Sequence, residues 1–448
     1  MGFNSFIKEF DKKHQATQVL FKGINIWPYL RFYELDVQHF KENRKVKVSS
    51  SHIGVVLSSL FYGVFNWFRA YDAVVFMVAS DRRLVDGTWS CKTDRVAKHF
   101  KKVLFIEMPN TQNKKPVPAE VEYVSSSGIL YLLEALLKFF LKFSKLQLAS
   151  DINLQINSSQ ILNQFRARYL VTQFIVRNLK PKVAFVNAAY VDMPRVLALK
   201  EAGVTVIEMQ HGNINEHHHG YQIYCPIHAS LKPDFLFSFG LAEQEMFKHS
   251  NYIESECVVP VGSFYLEQIS TKSSKSEVVN QLKEEGKIIV AVSGQDAYDK
   301  ELIQFISEVG QTKNEIAFLY MPRSRGKSSL SAKFKLPSNM HFDDTLNVYE
   351  AMKLSDIHTT VNSTCALESI ALGTPNLLFN FENKAHSYFS KIITDQSSTS
   401  YTSNPSDFVA FATKMASLTS TEVMAANENV FKPKFSENFD SAMEGINA

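Results

Sequence analysis

The hydrophobic residues of this 448-residue chain fall into short, continuous runs separated by polar or glycine-containing turns. Continuous rather than alternating hydrophobicity is typical of parallel strands that are covered on both faces of a sheet. Segments with helical periodicity lie between the runs. The pattern predicts buried strands at Ala73–Ala79, Val103–Glu107, Val183–Val186, Val204–Glu208, Phe235–Phe239, Ile288–Val292, Ile316–Tyr320 and Asn376–Phe379.

The alternation of strands and helices predicts an α/β protein built from doubly wound sheets. Helical segments include Ile161–Asn178 and Lys300–Val309, and a polar stretch, Ser270–Ser276, separates the strands into two groups. Such stretches commonly mark domain boundaries. We therefore expect two Rossmann-like domains, residues 1–265 and 266–448, which face one another across a cleft.

Two long apolar segments, Ile53–Tyr71 and Ile129–Leu146, are predicted to be helices. In the second, Lys138, Lys142 and Lys145 form one basic stripe along an apolar cylinder. A helix of this kind could lie on an anionic membrane surface. The pattern by itself favours the simpler interpretation, a core helix with one solvated face. No apolar run reaches roughly 18 residues, so no transmembrane helix is expected.

Composition and charge exclude several classes of protein. A hydrophobic share of 45% and a charged share of 21% are typical of a globular protein. A net charge of +3 gives no bulk attraction for nucleic acid, so a nucleic-acid partner is not expected. The four cysteines are scattered without a CxxC pair, which indicates neither a zinc knuckle nor a disulfide framework and favours a reducing cytosol. The N-terminus has no signal-peptide pattern.

The segment His358–Phe379 carries the strongest chemical signal. It reads as a strand, a hydroxyl-rich turn, a helix, a Gly-Thr-Pro stop and a second buried strand. Asn362, Ser363 and Thr364 stand at the mouth of the helix, where free backbone N–H groups and short donors suit a phosphate. Glu368 lies on the same helical face as Thr364 and can reach a ribose diol. The segment therefore predicts a nucleotide site.

Two further loops are candidates for donor binding. Ser293 and Gly294 follow a predicted strand and could contact phosphate through their backbone. Arg323 and Arg325 follow another strand and could neutralise a diphosphate. Neither loop has the glycine spacing of a phosphate-binding fingerprint.

The catalytic candidates follow strands of the first group. One strand ends in Glu208 and leads into His211 and Gly212, where glycine permits a sharp exit and close ligand approach. A histidine at the carboxyl end of a strand lies where a phosphate or a reacting hydroxyl would be, and the alternative is a turn histidine bound by the backbone. The downstream cluster His217–His219 is interpreted as a flexible polar loop rather than a metal site.

The loop that follows the first strand contains Asp81, Arg82, Asp86 and Trp89. A carboxylate here could act as general base on an acceptor hydroxyl, and we assign that role to Asp86. We expect Asp81, Arg82 and Trp89 to bind the acceptor. The alternative interpretation is a set of ion pairs between the aspartates and the arginines of the loop.

Short segments along most of the chain resemble the GT-B glycosyltransferases of bacterial capsule, O-antigen and related surface polysaccharide assembly. The resemblance implies that the first domain binds the acceptor and the second the nucleotide sugar. It also implies a C-terminal helix that crosses back to the first domain, and catalysis without a metal or a separate cofactor. By this resemblance Ser363 and Thr364 hold phosphate and Glu368 the ribose. The segments are Gly23–Pro28 with Arg31, Asp81–Trp89, Glu208–Gly212, Pro233–Asp234, Val261–Ser263 and Asn362–Pro375.

The chain also has a partial similarity to the sialyl and Kdo transferases that use CMP-sugars, in its Ser-Thr pair and in Asp86-Gly87. Those enzymes carry a His-Pro pair where this chain has Met321-Pro322-Arg323. The donor therefore stays open between CMP-linked acidic sugars and UDP-, GDP- or dTDP-linked neutral ones. The expected acceptor is a glycan or a lipid-linked molecule. The expected location is the cytoplasm, including peripheral contact with the inner membrane.

Three alternatives share the expected fold. A polyol-phosphate transferase of the CDP-glycerol type would use the same architecture. A nucleotide-sugar 2-epimerase needs no acceptor and leaves the apolar basic helix unexplained. A catalytically silent partner subunit of a polysaccharide-assembly complex would account for the missing histidine.

Overall fold

The computed structural model describes residues 3–40, 60–77, 82–85, 87–107, 116–140, 154–313, 315–323 and 326–447. The chain divides into two compact units. The first contains Met1–Ser238, Glu243–Pro260 and Phe439–Ala448, and the second contains Phe239–Ala242 and Val261–Asn438. Each unit is built on one parallel sheet. The strands of these two sheets are numbered β1 to β13 in chain order.

The first unit has a seven-stranded sheet in the order β3-β2-β1-β4-β5-β6-β7. All neighbouring strands are parallel. The order is that of nucleotide-binding doubly wound sheets, in which the direction of winding reverses between β1 and β4. The strands are β1 (Ala73–Phe76), β2 (Val103–Glu107), β3 (Tyr123–Ser126), β4 (Val183–Val186), β5 (Thr205–Met209), β6 (Phe235–Ser238) and β7 (Val258–Pro260).

The second unit repeats this topology with six parallel strands in the order β10-β9-β8-β11-β12-β13. Its winding reverses between β8 and β11. Alternate strand residues enter two separate hydrophobic clusters, so both faces of the sheet are covered. The strands are β8 (Ile288–Ser293), β9 (Ile316–Met321), β10 (Met340–His341), β11 (Ile357–Thr359), β12 (Asn376–Phe379) and β13 (Thr399–Thr402).

The predicted α/β class and its doubly wound sheets are confirmed. The described part of every predicted strand forms a strand, with ends that differ by one or two residues, and residues 78–79 lie outside the described ranges. The predicted strands leave out β3, β7, β10 and β13. These four are the edge strands of the two sheets. An edge strand is paired on one side only, and these four strands are only partly buried, so their apolar signal is weak.

Helices connect the strands. The two predicted between strands are confirmed and are slightly longer, Ser158–Leu179 and Asp299–Thr312. The others are Phe3–Lys13, Trp27–Phe40, Gly128–Phe140, Met193–Glu201, Ala242–Phe247, Phe264–Thr271, Glu277–Glu284, Lys327–Ser331, Val348–Leu354, Cys365–Ala371, Lys384–Phe389, Pro405–Met415, Ser420–Ala426 and Phe435–Asn447.

The predicted helix Ile53–Tyr71 is wrong over its described part, residues 60–71. That part contains only a five-residue 3-10 helix, Val64–Phe68, and continues as extended backbone at Arg69. Gly63 explains the break, because its φ of 68° is left-handed and a Cβ there would collide with the carbonyl of Val124. The second apolar helix is confirmed over Gly128–Phe140, and its predicted remainder lies outside the described ranges. Within those ranges, no helix has the length and hydropathy needed to cross a membrane.

Candidate functional site

The switch point of the second sheet collects most of the predicted donor residues. Strands β8 and β11 are neighbours there, and their carboxyl ends lead into the loops 294–298 and 360–364. In open parallel sheets, ligands bind outside the carboxyl ends of the strands at this reversal. Five of the predicted donor residues stand at these two strand ends: Ser293, Gly294, Asn362, Ser363 and Thr364.

Gln295 joins the two loops. Its Oε1 accepts hydrogen bonds from the hydroxyl of Thr360 (3.1 Å) and from the backbone N–H groups of Val361 (3.3 Å) and Asn362 (3.1 Å). Its Nε2 donates to Oδ1 of Asn362 (2.6 Å). Because Gln295 is buried, these bonds fix the second loop against the end of β8. Asn362 therefore has a structural partner for both its N–H and its side chain.

A buried histidine supports the same strand ends. His358 lies in β11, and its Nδ1 is 2.8 Å from Oδ1 of Asn376 while its Nε2 is 2.8 Å from the hydroxyl of Ser293. Burial lowers the pKa of His358 to about 4, so the ring is neutral at pH 7. Since the Asn376 oxygen can only accept, Nδ1 carries the proton and Nε2 accepts from Ser293. The hydroxyl of Ser293 is thus used within the fold.

Ser363 and Thr364 stand at the mouth of the helix Cys365–Ala371. Both residues are half-buried, and Thr364 makes no side-chain bond to the helix that it precedes. Neither backbone N–H is hydrogen-bonded to another of the described residues. The Ser363 hydroxyl accepts from the N–H of Cys365 at 3.3 Å and also lies within hydrogen-bond reach of the Cys365 thiol. These hydroxyls and N–H groups form an arrangement that suits an anionic oxygen.

Glu368 lies one helical turn further on and is half-buried. The hydroxyl of Tyr349 donates to its Oε1 at 3.0 Å. Tyr349 belongs to the helix Val348–Leu354, so a second element orients the carboxylate. A carboxylate held in this way can accept hydrogen bonds from a diol.

The structure gives less support to the other predicted donor residues, Gly294, Arg323 and Arg325. The N–H of Gly294 donates to the carbonyl of Met321 (2.9 Å), and a Cβ at this position would be 2.8 Å from the ring of Tyr320. Glycine is therefore required at this position because the ends of β8 and β9 approach closely there. Arg323 is exposed in the turn after β9. Arg325 lies outside the described residues.

In the first unit, Glu208 is completely buried in β5. The hydroxyl of Tyr221 donates to its Oε1 at 2.8 Å, and that of Tyr252 donates to its Oε2. Burial raises the pKa of Glu208 to about 7, and the hydrogen bonds from the tyrosines and from the N–H of Ala189 oppose this rise. A carboxyl group enclosed in this way holds together the loops that follow β4 and β5.

His211 follows β5 and is exposed. Its ring centroid is 6.4 Å from that of Tyr190, which belongs to the loop after β4. The preceding residue, Gln210, is buried and donates to the carbonyl of Gly212 and to Glu243, each at 2.9 Å. The sharp turn that the sequence predicts at this strand end is therefore held by side-chain bonds, and it presents His211 at the carboxyl edge of the first sheet.

The histidine cluster 217–219 is not the flexible polar loop that we expected. Arg31 is buried and donates to the carbonyls of His219 (2.7 Å) and Gln222 (2.6 Å). Asp11 pairs with Arg31 and accepts from the N–H of Tyr224 (2.7 Å). These bonds anchor the loop to the N-terminal helices. Across the described ranges, no cluster of three or more His, Cys, Asp or Glu side chains could hold a metal ion.

The loop after β1 is only partly described, because Asp81 and Asp86 lie outside the described residues. Arg82 is buried and forms ion pairs with Asp94 (2.9 Å) and Glu107. It also donates to the carbonyl of Trp89 (2.7 Å), whose side chain is half-buried. Arg82 is therefore paired with acids outside the loop, whereas the alternative interpretation expected pairs with the aspartates of the loop itself.

We call residues 360–368 the donor segment. Sequence patterns missed the residues that hold it in place, namely Gln295, Tyr349 and Asn376. Gln295 and Tyr349 lie outside the segment His358–Phe379, and Asn376 lies in its second strand, away from the turn that carries Ser363 and Thr364. The available signal was the position of Gln295 three residues beyond a predicted strand. It becomes informative only when β8 and β11 are known to be neighbours.

Comparison with known structures identifies the type of fold. No protein-family model and no curated protein match the sequence. A solved structure described as the glycotransferase of kitacinnamycin matches with a TM-score of 0.54 and 10% identity, over 85% of this chain and 99% of the other. A glycosyltransferase from Rickettsia africae ESF-5 matches with a TM-score of 0.50 and 13% identity, over 84% and 97%. The fold is GT-B.

A third match shows that this GT-B fold does not decide the reaction. A putative UDP-N-acetylglucosamine 2-epimerase from Listeria monocytogenes matches with a TM-score of 0.50 and 11% identity, over 84% of this chain and 96% of the other. At such identities the likeness establishes architecture alone. The chemistry has to be argued from the residues at the strand ends of the two units.

Proposed function

We propose that the chain is a glycosyltransferase that moves a sugar from a nucleotide-sugar donor to a glycan or lipid-linked acceptor. The observation that carries this proposal is the donor segment at the switch point of the second sheet. There Gln295 fixes the loop and leaves Ser363 and Thr364 accessible, while Tyr349 orients Glu368. The GT-B fold and the two glycosyltransferase structures that share it support the proposal.

The second unit would bind the donor. The hydroxyls and N–H groups of Ser363 and Thr364 would hold a phosphate, and Glu368 would accept hydrogen bonds from the ribose diol. Arg323 and Arg325 would neutralise the leaving phosphate, so the proposed mechanism uses no metal and no separate cofactor. The nucleotide is CMP or UDP in the leading form of the proposal.

The first unit would bind the acceptor and supply the base. Asp86 would take the proton from the acceptor hydroxyl as that oxygen attacks the anomeric carbon and the nucleotide phosphate leaves. His211, exposed at the end of β5, would share this role or contact the donor. Asp81 and Trp89 would contact the acceptor. Glu208 and Arg82 are both buried, so we assign them to positioning the loops that carry these groups.

The biological setting that we propose is the synthesis of a bacterial surface polysaccharide, such as capsule or O-antigen. This part of the proposal depends on the sequence resemblance. It predicts that the acceptor is an intermediate of that assembly, either a growing glycan or a lipid-linked sugar.

A nucleotide-sugar 2-epimerase is the second candidate, because the Listeria structure matches as well as the Rickettsia glycosyltransferase does. The two reactions differ in their products. A transferase releases free nucleotide only when an acceptor is present, whereas an epimerase converts the sugar nucleotide into its 2-epimer without an acceptor.

Product analysis by mass spectrometry and chromatography tests the proposal. We expect acceptor-dependent release of nucleotide and an acceptor that gains one sugar, with loss of transfer in Asp86→Asn and retained nucleotide binding. Epimer formed without acceptor would instead establish the epimerase. Phosphorus in the extended acceptor would indicate polyol-phosphate transfer. If Asp86→Asn transfers sugar at a near-normal rate, the assignment of the base is wrong.

A further inference from the structure

The helix Gly128–Phe140 has an inverted distribution of polar and apolar side chains. A surface helix normally turns charged residues outward and apolar residues toward the core. Here the single acid, Glu134, is buried and pairs with Arg168 at 3.3 Å. Lys138 is half-buried and donates to Gln164 at 3.3 Å. The exposed residues are all apolar: Tyr131, Leu132, Ala135, Leu136, Phe139 and Phe140.

The short 3-10 segment Val64–Phe68 and the turn before it carry a second group of exposed apolar side chains, and this segment packs on the strand that leads into the helix. The N–H of Ser126 donates to the carbonyl of Tyr62 (3.1 Å), and the hydroxyl of Ser125 donates to that of Gly63 (2.8 Å), just before the helix begins. Both elements pack against the helix Ser158–Leu179. The exposed fractions are large, at 75% for Phe61, 77% for Phe65, 78% for Phe68, 83% for Phe139 and 73% for Phe140. We call the exposed apolar residues of 61–68 and 131–140 the outer apolar surface.

So many exposed aromatic rings indicate a partner, because exposed apolar surface on this scale is unusual in water. Most of the charges near it are positive, and the exposed acid Glu122 lies close to Arg69 at the end of the 3-10 segment. Across 60–69 and 128–140 the charged residues are Arg69, Lys138 and the paired Glu134. The sequence continues with Lys142 and Lys145 before the next acid, Asp151.

This charge pattern favours an anionic lipid surface over a second copy of the chain. A symmetric dimer would bring the basic side chains of both copies to one interface, and the one acid of 60–69 and 128–140, Glu134, is already buried and paired with Arg168. A bilayer with anionic headgroups offers the opposite charge next to an apolar layer, and phenylalanine and leucine are suited to that boundary.

We propose that the outer apolar surface binds the face of a bilayer that contains anionic lipid. Phe139, Phe140 and the exposed phenylalanines of the 3-10 segment insert below the headgroups, and the basic side chains stay at the level of the phosphates. The binding is peripheral. It uses none of the residues assigned to the donor or to catalysis, so it stands independently of the proposed reaction.

Vesicle flotation with the full-length chain tests the proposal. Vesicles of phosphatidylcholine with phosphatidylglycerol are compared with pure phosphatidylcholine, using the wild type and Phe139→Ser/Phe140→Ser. The matched control is Phe411→Ser, which changes a partly exposed helical phenylalanine of the second unit. Each inserted phenylalanine is worth roughly tenfold in partition, so the double variant should lose roughly a hundredfold and the control almost nothing.

The integrity of the fold is measured separately. Because all three substituted side chains are exposed, we expect the fold to be unchanged. The melting curve followed by tryptophan fluorescence should be the same for the wild type and the double variant. The proposal is overturned if the wild type does not float with anionic vesicles, or if Phe139→Ser/Phe140→Ser floats as well as the wild type. It is also overturned if the wild type is a dimer that the double variant converts to monomer while neither binds vesicles.

Discussion

Replacing Glu208 by Gln removes a carboxyl group that the first unit buries completely. Glutamine keeps the shape of the side chain but has one acceptor oxygen, so one of the hydroxyls of Tyr221 and Tyr252, which donate to different oxygens of Glu208, meets an NH2 group instead. It removes the group that titrates. The altered hydrogen bond has the same cost at every pH, so the pH dependence that the variant loses reports the titration of Glu208.

The magnitude follows from the pKa of Glu208, which burial raises from 4.5 to about 7 in the folded chain. Between these values the folded state binds a proton that the unfolded state has already lost. Stability contributed by this proton is therefore greatest at low pH and falls as the pH rises from about 4.5 to about 7. From pH 5 to pH 7.5 the loss is about 2 kcal/mol.

Tryptophan fluorescence during urea unfolding measures this loss in the first unit alone. All three tryptophans, Trp27, Trp67 and Trp89, belong to that unit. The free energy of unfolding is compared at pH 5 and pH 7.5 for the wild type, Glu208→Gln and the control Glu254→Gln, which changes an exposed glutamate of the same unit. Subtracting the pH change of Glu208→Gln from that of the wild type removes the contribution of all other groups.

We expect this difference to be about 2 kcal/mol of stability lost by the wild type toward pH 7.5, and close to zero for Glu254→Gln. A difference near zero for Glu208→Gln, or one of opposite sign, would refute the reasoning. It would mean that the tyrosine hydroxyls and the Ala189 N–H keep the carboxylate ionised at pH 5 in spite of its burial.

Two further predictions concern the second unit and are measured by calorimetric melting and by nucleotide titration. Gln295→Ala leaves the buried N–H groups of the 360–362 loop without their acceptor, so we expect a loss of about 1–3 kcal/mol and weaker nucleotide binding. The exposed Gln304→Ala is its control, and equal stability of the two variants would contradict the role of Gln295. Gly294→Ala places a Cβ 2.8 Å from the ring of Tyr320 and should cost about 1–3 kcal/mol. The control Gly326→Ala meets no atom within 4 Å, and if both glycine variants melt alike the close approach is not needed.

The fold was largely predictable because central parallel strands are covered on both faces and carry a continuous apolar signal. The four strands absent from the prediction are the sheet edges, where pairing and burial are partial. The failed helix at residues 60–71 has a different cause. Its apolar residues resemble a helix, yet Gly63 adopts a left-handed conformation because β3 lies against it. That contact joins residues 62 positions apart, which no local pattern reports.

The sequence predicted the site residues that directly follow a strand. It did not predict which of them are held by side chains from distant parts of the chain. Ser363, Thr364 and Glu368 follow a strand that the sequence marks clearly. Glu208 also stood at a predicted strand end, but its burial comes from Tyr221 and Tyr252, which lie 13 and 44 residues further along the chain. A local sequence pattern contains no information about partners so far along the chain. A buried carboxyl group that positions loops therefore cannot be distinguished from a reacting one by its local sequence.

The central claim is that the donor segment binds a nucleotide, and isothermal titration with CMP, UDP, GDP and dTDP tests it most directly. The comparison is between the wild type, Ser363→Ala/Thr364→Ala and the control Thr413→Ala, an exposed threonine of the same unit. Two hydrogen bonds to a charged phosphate contribute about 1.5–3 kcal/mol each, so the double variant should bind at least roughly a hundredfold more weakly while the control binds as the wild type does. Binding of none of the four nucleotides by the wild type, or equal affinity in Ser363→Ala/Thr364→Ala, would contradict the account.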